Sequence, residues 1–101
     1  MAVLSLNSGN FEQVLNSGKT VLIDFYADWC GPCKMLSPIV DKIAEETSDI
    51  VVGKVNVDDE EDIAAKYGVM SIPTLVVLKN GEVAGKSVGV QPKEKILELL
   101  K

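Results

Sequence analysis

The 101-residue chain has no histidine, no arginine, only two cysteines, and no apolar run longer than four residues. Each absence removes a class of function. Without histidine there is no Ser/His/Asp or Cys/His catalytic arrangement, and zinc loses its usual imidazole ligands. Two cysteines are too few for a four-thiolate zinc or iron–sulfur site, so no metal is expected. The short apolar runs leave room for neither a transmembrane helix nor the apolar core of a signal peptide, so the expectation is a soluble, cytoplasmic protein with no membrane partner. An acidic balance, fifteen acids against ten lysines, counts against nucleic acid as a partner.

What is present points to a folded domain. Apolar residues make up 47% of the chain, and this length suffices to bury a core. No repeat, low-complexity tract or linker divides it, so residues 1–101 read as one domain. The net charge of -5 is unevenly placed: Asp58, Asp59, Glu60, Glu61 and Asp62 are consecutive, and the rest of the chain is balanced. The run lacks the spacing and glycine of a calcium loop; acids at a helix N-terminus account for it.

Periodicity gives the elements. Phe11, Val14 and Leu15 mark a short helix stopped near Gly18. Val21 to Ala27 has apolar side chains at both parities, as in a strand covered on both faces, with one charge at Asp24. Leu36, Ile39, Val40 and Ile43 share a helix face reaching about Thr47, and Pro38 predicts a kink there. Ile50 to Val57 is a second buried strand, interrupted by Lys54. Asp58 or Asp59 is the expected cap of a helix through Ala65 that stops at Gly68. Thr74 to Lys79 and Glu82 to Val88 flank Asn80-Gly81, a strong hairpin signal. Gln91-Pro92 opens a last helix presenting Ile96, Leu97, Leu99 and Leu100 to the core. The order β α β α β α β β α implies an α/β fold whose parallel sheet ends in an antiparallel hairpin.

The segment Trp29-Cys30-Gly31-Pro32-Cys33-Lys34 lies where a strand ends and a helix begins. Unpaired N–H groups and the helix dipole there favour a thiolate at Cys30, and Cys33 is close enough to close a disulfide with it. A helix N-terminus contributes roughly 0.3 to 2 kcal/mol, so the thiol is lowered moderately. With no imidazolium to stabilise the thiolate further, the dithiol gives up its electrons readily and is expected to be a reductant. A structural disulfide closing so short a loop, or half of an intersubunit metal site, accounts for the pair less well. Asp24 and Lys54 are single charges in apolar strands; burial raises the carboxyl, and a nearby ammonium offsets this in part.

Val21 to Lys34 as a block, with Ile72-Pro73-Thr74 and Lys79-Asn80-Gly81-Glu82 downstream, resembles the thioredoxin family along essentially the whole chain. The resemblance implies the thioredoxin fold, a central mixed five-stranded sheet flanked by four helices on both faces. It further implies a protein-disulfide reductase in which Cys30 attacks a substrate disulfide and Cys33 resolves the mixed disulfide. Asp24 would accept the Cys33 proton through water, modulated by Lys54. Pro73 would be a cis proline facing the cysteines. Substrate would dock on Trp29, Gly31, Pro32, Met70, Ser71, Ile72, Pro73, Gly89 and Val90, a patch without charge, with the acidic run placed away from Cys30. No cofactor is expected on a chain of this kind, which acts as a monomer; NADPH and flavin belong to the partner thioredoxin reductase that recharges it, and its clients are diverse disulfide-containing proteins.

Tyr26 departs from a tryptophan often found beside the family's site. Asp28 adds a negative charge that opposes the Cys30 thiolate slightly. Two other readings stay open, a scaffold that binds through this surface without redox turnover, and a disulfide-forming oxidase; Gly-Pro between the cysteines and the missing signal-peptide core oppose the second.

Overall fold

The computed structural model describes residues 3–101. Five strands form one sheet in the order β1-β3-β2-β4-β5, with β1 at Leu4–Ser5, β2 at Thr20–Tyr26, β3 at Ile50–Asn56, β4 at Thr74–Lys79 and β5 at Glu82–Val88. β1 and β2 both run parallel to β3, whereas β4 is antiparallel to β2 and to β5. The helices are α1 at Phe11–Leu15, α2 at Gly31–Glu46, α3 at Glu61–Lys66 and α4 at Lys93–Leu100.

Alternation along the inner strands sorts the core into two layers. Val21, Ile23 and Phe25 of β2 join Val55, Val76 and Leu78 beneath Phe11 of α1 and Ile63 and Ala64 of α3. Leu22, Val52, Leu75 and Val77 point the other way and pack under Leu36, Val40, Ile43 and Ala44 of α2 and Ile96 of α4. Asp24 and Tyr26 share the parity of Leu22, so they lie on the α2 side. The central strand is therefore buried on both faces because it is apolar at both parities.

Local signals act where the sequence places them. Asn80 and Gly81 both adopt positive φ, 55° and 80°, the two-residue turn whose twist matches a hairpin. Buried residues in α2 recur at helical spacing, and the helix is continuous through Pro38, which sits on its exposed side. In α4 only Ile96 is fully buried; Leu97, Leu99 and Leu100 pack half-exposed along the core's margin. One expectation fails. Neither Asp58 nor Asp59 caps α3, which begins later with Glu60 at its N-cap and no side-chain capping bond. The chain leaving β3 is held beside β2 by Val57 N–H donating to the Tyr26 carbonyl at 2.9 Å, and Asn56 Oδ1 accepts from Asp58 N–H, so the helix cannot start until that bridge is past.

Candidate active site

Cys30 follows the turn after β2 and is the N-cap of α2, with extended backbone at φ -89°, ψ 109°. Its Sγ accepts the Cys33 N–H at 3.2 Å, one of the helix's otherwise orphaned donors. Pro32 occupies the first turn, where a missing N–H costs nothing. Cys30 and Cys33 are joined in a disulfide with Cα atoms 5.3 Å apart, and each is 4% exposed. Access to sulfur is thus narrow, and the surroundings govern what reaches it. Trp29 projects beside the pair at 71% exposure, with Gly31 and Pro32 open to solvent next to it.

A second loop faces the disulfide. The Ile72–Pro73 peptide is cis, and the Ile72 carbonyl oxygen lies 3.9 Å from Cys30 Sγ. Thr74 Oγ1 donates to the Ser71 carbonyl at 2.6 Å, and Gly89 N–H donates to the Pro73 carbonyl at 2.8 Å, fastening this loop to the end of β5. Gly89 has φ 90°, a conformation that favours glycine. Val90 is exposed beyond it. Met70 stands out at 95% exposure, and Trp29, Val57, Val69, Met70, Ser71 and Ile72 line a groove of about 400 Å³. Its lining is apolar apart from Ser71, which suits the side chains of an extended polypeptide.

Behind the cysteines, a smaller cleft of about 170 Å³ is lined by Asp24, Tyr26, Ala27, Asp28, Cys33, Lys34, Ser37 and Lys54. It joins Asp24 to Cys33, leaving room for water between them. Asp24 is 5% exposed, and its Oδ1 has no hydrogen-bond partner among the described residues. Burial pushes its carboxyl up to about 6; Lys54, directly opposite on β3, pulls it down, and Asp41 on α2 pushes it up. A carboxyl poised near neutral pH is suited to exchanging a proton.

Two residues of this site escaped the sequence reading. Asp58 accepts a hydrogen bond from Trp29 Nε1 at 2.9 Å, so the acidic run, expected away from Cys30, begins against the residue that precedes it. β2 and β3 end in register at Tyr26↔Asn56, so the turns leaving them, which carry Trp29 and Asp58, emerge side by side; parallel pairing was the signal that would have found it. Tyr26 was noted only as a departure from the family's usual tryptophan, yet it lines the cleft and holds the Lys54 ammonium 5.7 Å from its ring centroid. Among the described residues, no group of histidine, cysteine and acidic side chains could hold a metal ion.

A family model described as thioredoxin matches residues 2–101. The thioredoxin of Bacillus subtilis (strain 168) is 46% identical over 101 residues, spanning 99% of this chain and 96% of that protein. That of Pyropia yezoensis is 48% identical over 102 residues, covering 99% and 95%. Among solved structures, a mutant thioredoxin from Halobacterium salinarum NRC-1 superposes with a TM-score of 0.91 at 40% identity, over 98% of this chain and 88% of that one.

Proposed function

The chain belongs to the thioredoxin family and is a thiol–disulfide oxidoreductase, and from that premise we propose how its residues divide the exchange reaction. Thioredoxin reductase and disulfide-containing proteins are its partners, and the family works without a bound cofactor, drawing on its own dithiol. The observation that carries the proposal is the cleft linking a buried, unpartnered Asp24 to Cys33, behind a Cys30 set at a helix N-terminus.

Substrate lies as an extended segment in the groove beside Trp29, Met70 and Ile72. Gly31, Pro32, Ser71, Pro73, Gly89 and Val90 complete the contact surface, with backbone groups near Ile72 pairing to the substrate strand. The reduced Cys30 thiolate attacks one substrate sulfur. A Cys30–substrate disulfide forms, the substrate's own disulfide breaks, and the departing sulfur leaves as thiolate and takes a proton from water. Asp24 accepts the Cys33 proton across the cleft, with Lys54 tuning the carboxylate. The Cys33 thiolate then attacks Cys30 sulfur, the Cys30–Cys33 bond forms, and the second substrate sulfur is released. Two electrons have passed to the substrate. NADPH, through a flavin on the reductase, returns them.

Residues 1–101 act as one domain, matched from residue 2 to 101 by a single family model, and as a monomer. A cytoplasmic setting fits a dithiol with no imidazolium to hold it reduced, because such a pair donates electrons where thiols are kept reduced. The test is direct. Cys30→Ser should abolish insulin reduction, and Cys33→Ser should accumulate mixed disulfides with substrate that the parent protein resolves. Normal insulin reduction by Cys30→Ser would refute the assignment.

A further inference from the structure

Tyr26 follows Asp24 by two residues on β2, so both side chains stand on the α2 side of the sheet. Lys54 is paired with Asp24 across the β2–β3 ladder and lies on the same side. A four-carbon stem lets its ammonium choose between the carboxylate and the ring face. It takes the ring: Lys54 Nζ sits 5.7 Å from the Tyr26 centroid, while among the described residues the only ion pair is Lys93 with Glu46. Asp24, whose Oδ1 is buried without a partner among the described residues, lines the cleft shared with Cys33.

Building on Asp24 as the proton acceptor, we propose that Tyr26 is a positioning residue of the exchange reaction, its ring holding the Lys54 ammonium off the Asp24 carboxylate so that an oxygen stays free for the Cys33 proton. A lysine closed onto the carboxylate would occupy that oxygen and stabilise the ion, making it a weak base. A lysine lost to solvent would leave the burial of Asp24 unopposed. The ring keeps the charge at an intermediate distance. Other groups share this setting. Asp41 and Lys34 face the cleft or its carboxyl from α2, with Cys33; Asp28 faces it from the turn after β2; Asp59 and Glu60 border Lys54 on the far side of Tyr26. Burial overrides the pull of Lys54 at Asp24, as expected if the ammonium is held back.

The experiment follows the Asp24 carboxyl carbon by NMR against pH in the full-length oxidised protein, together with the pH profile of mixed-disulfide resolution. Tyr26→Leu should lower the Asp24 midpoint by about one pH unit, as the freed ammonium closes on the carboxylate. Tyr26→Met, which also lacks a ring, should do the same if the leucine variant fails to fold. Tyr26→Phe keeps the ring and should restore the parent midpoint. Lys54→Met should move it upward, and combining it with Tyr26→Leu should add nothing. A midpoint unchanged or raised by losing the ring, or lowered equally when Lys54 is absent, overturns the proposal. A midpoint that moves as expected while the resolution profile stays in place upholds the hold of Tyr26 on Lys54 and overturns Asp24 as the proton acceptor.

Discussion

Asp24 places a carboxyl in the buried interior of β2. Its carboxyl is pushed up to about 6 by burial, against about 3.9 in an unfolded chain. Between those values the folded state binds the proton more tightly than the unfolded state, so protonation stabilises the fold. That stabilisation is fully present below about pH 4 and is lost as pH climbs through about 6, a loss on the order of 3 kcal/mol. Asp24→Asn has no such loss. The variant should match the parent near pH 4 and exceed it by up to about 3 kcal/mol at pH 7, read from urea denaturation of the oxidised protein. A stability difference that does not grow with pH would show that burial is not what raises the carboxyl. The lone charge in an apolar strand was visible in the chain, and so was its cost. Its missing partner was not, because the ammonium that could neutralise it is placed by a ring two residues further along.

Among the elements, those with local instructions were the most legible. Asn80-Gly81 must take positive φ to turn the chain, and both flanking strands fall where alternation places them. The start of α3 was misplaced because Asp58 and Asp59 have capping chemistry, and capping propensity carries no information about what else a side chain meets. Asp58 is committed to Trp29, thirty positions upstream less one, through the parallel pairing of β2 with β3. The short β1 carries a similar constraint. A Cβ built on Gly53 of β3 would stand 2.5 Å from Leu6 Cδ1 and 2.7 Å from its Cγ, and Leu6 is itself buried against the sheet. Gly53→Ala should therefore destabilise by about 1–3 kcal/mol through overpacking. A denaturation midpoint equal to the parent's would mean that Leu6 moves aside freely. The fold around the cysteines should persist in this variant, since Leu6 lies on the side of the sheet opposite α2.

At the scale of the molecule, the sheet divides the core into two layers that share a backbone but few side chains. Ile23 packs toward α1 and α3, and Ile43 of α2 packs on the other face. Ile23→Val and Ile43→Val should each cost about 0.5–1.5 kcal/mol. The double variant should equal their sum to within about 0.5 kcal/mol, because side chains separated by a sheet have no common partner. A larger departure, measured by equilibrium denaturation, would show that the sheet transmits strain between the layers. Docking also belongs to this scale. The patch around Met70 and Ile72 is apolar, but Asp58 binds Trp29 at its margin, so the acidic run reaches the face proposed to meet substrate.

Apolar periodicity, the Asn-Gly turn and a Cys-Gly-Pro-Cys step between strand and helix are instructions written over a few adjacent residues. They were enough for the element order, the mixed sheet and the redox pair at a helix N-terminus. Pairing across the sheet settled the rest: the neighbourhood of Trp29 and Asp58, the cleft from Asp24 to Cys33, and the choice of Lys54 between a carboxylate and a ring. Those outcomes depend on distances between residues far apart in the chain, and local propensity holds no record of such distances until strand register sets them.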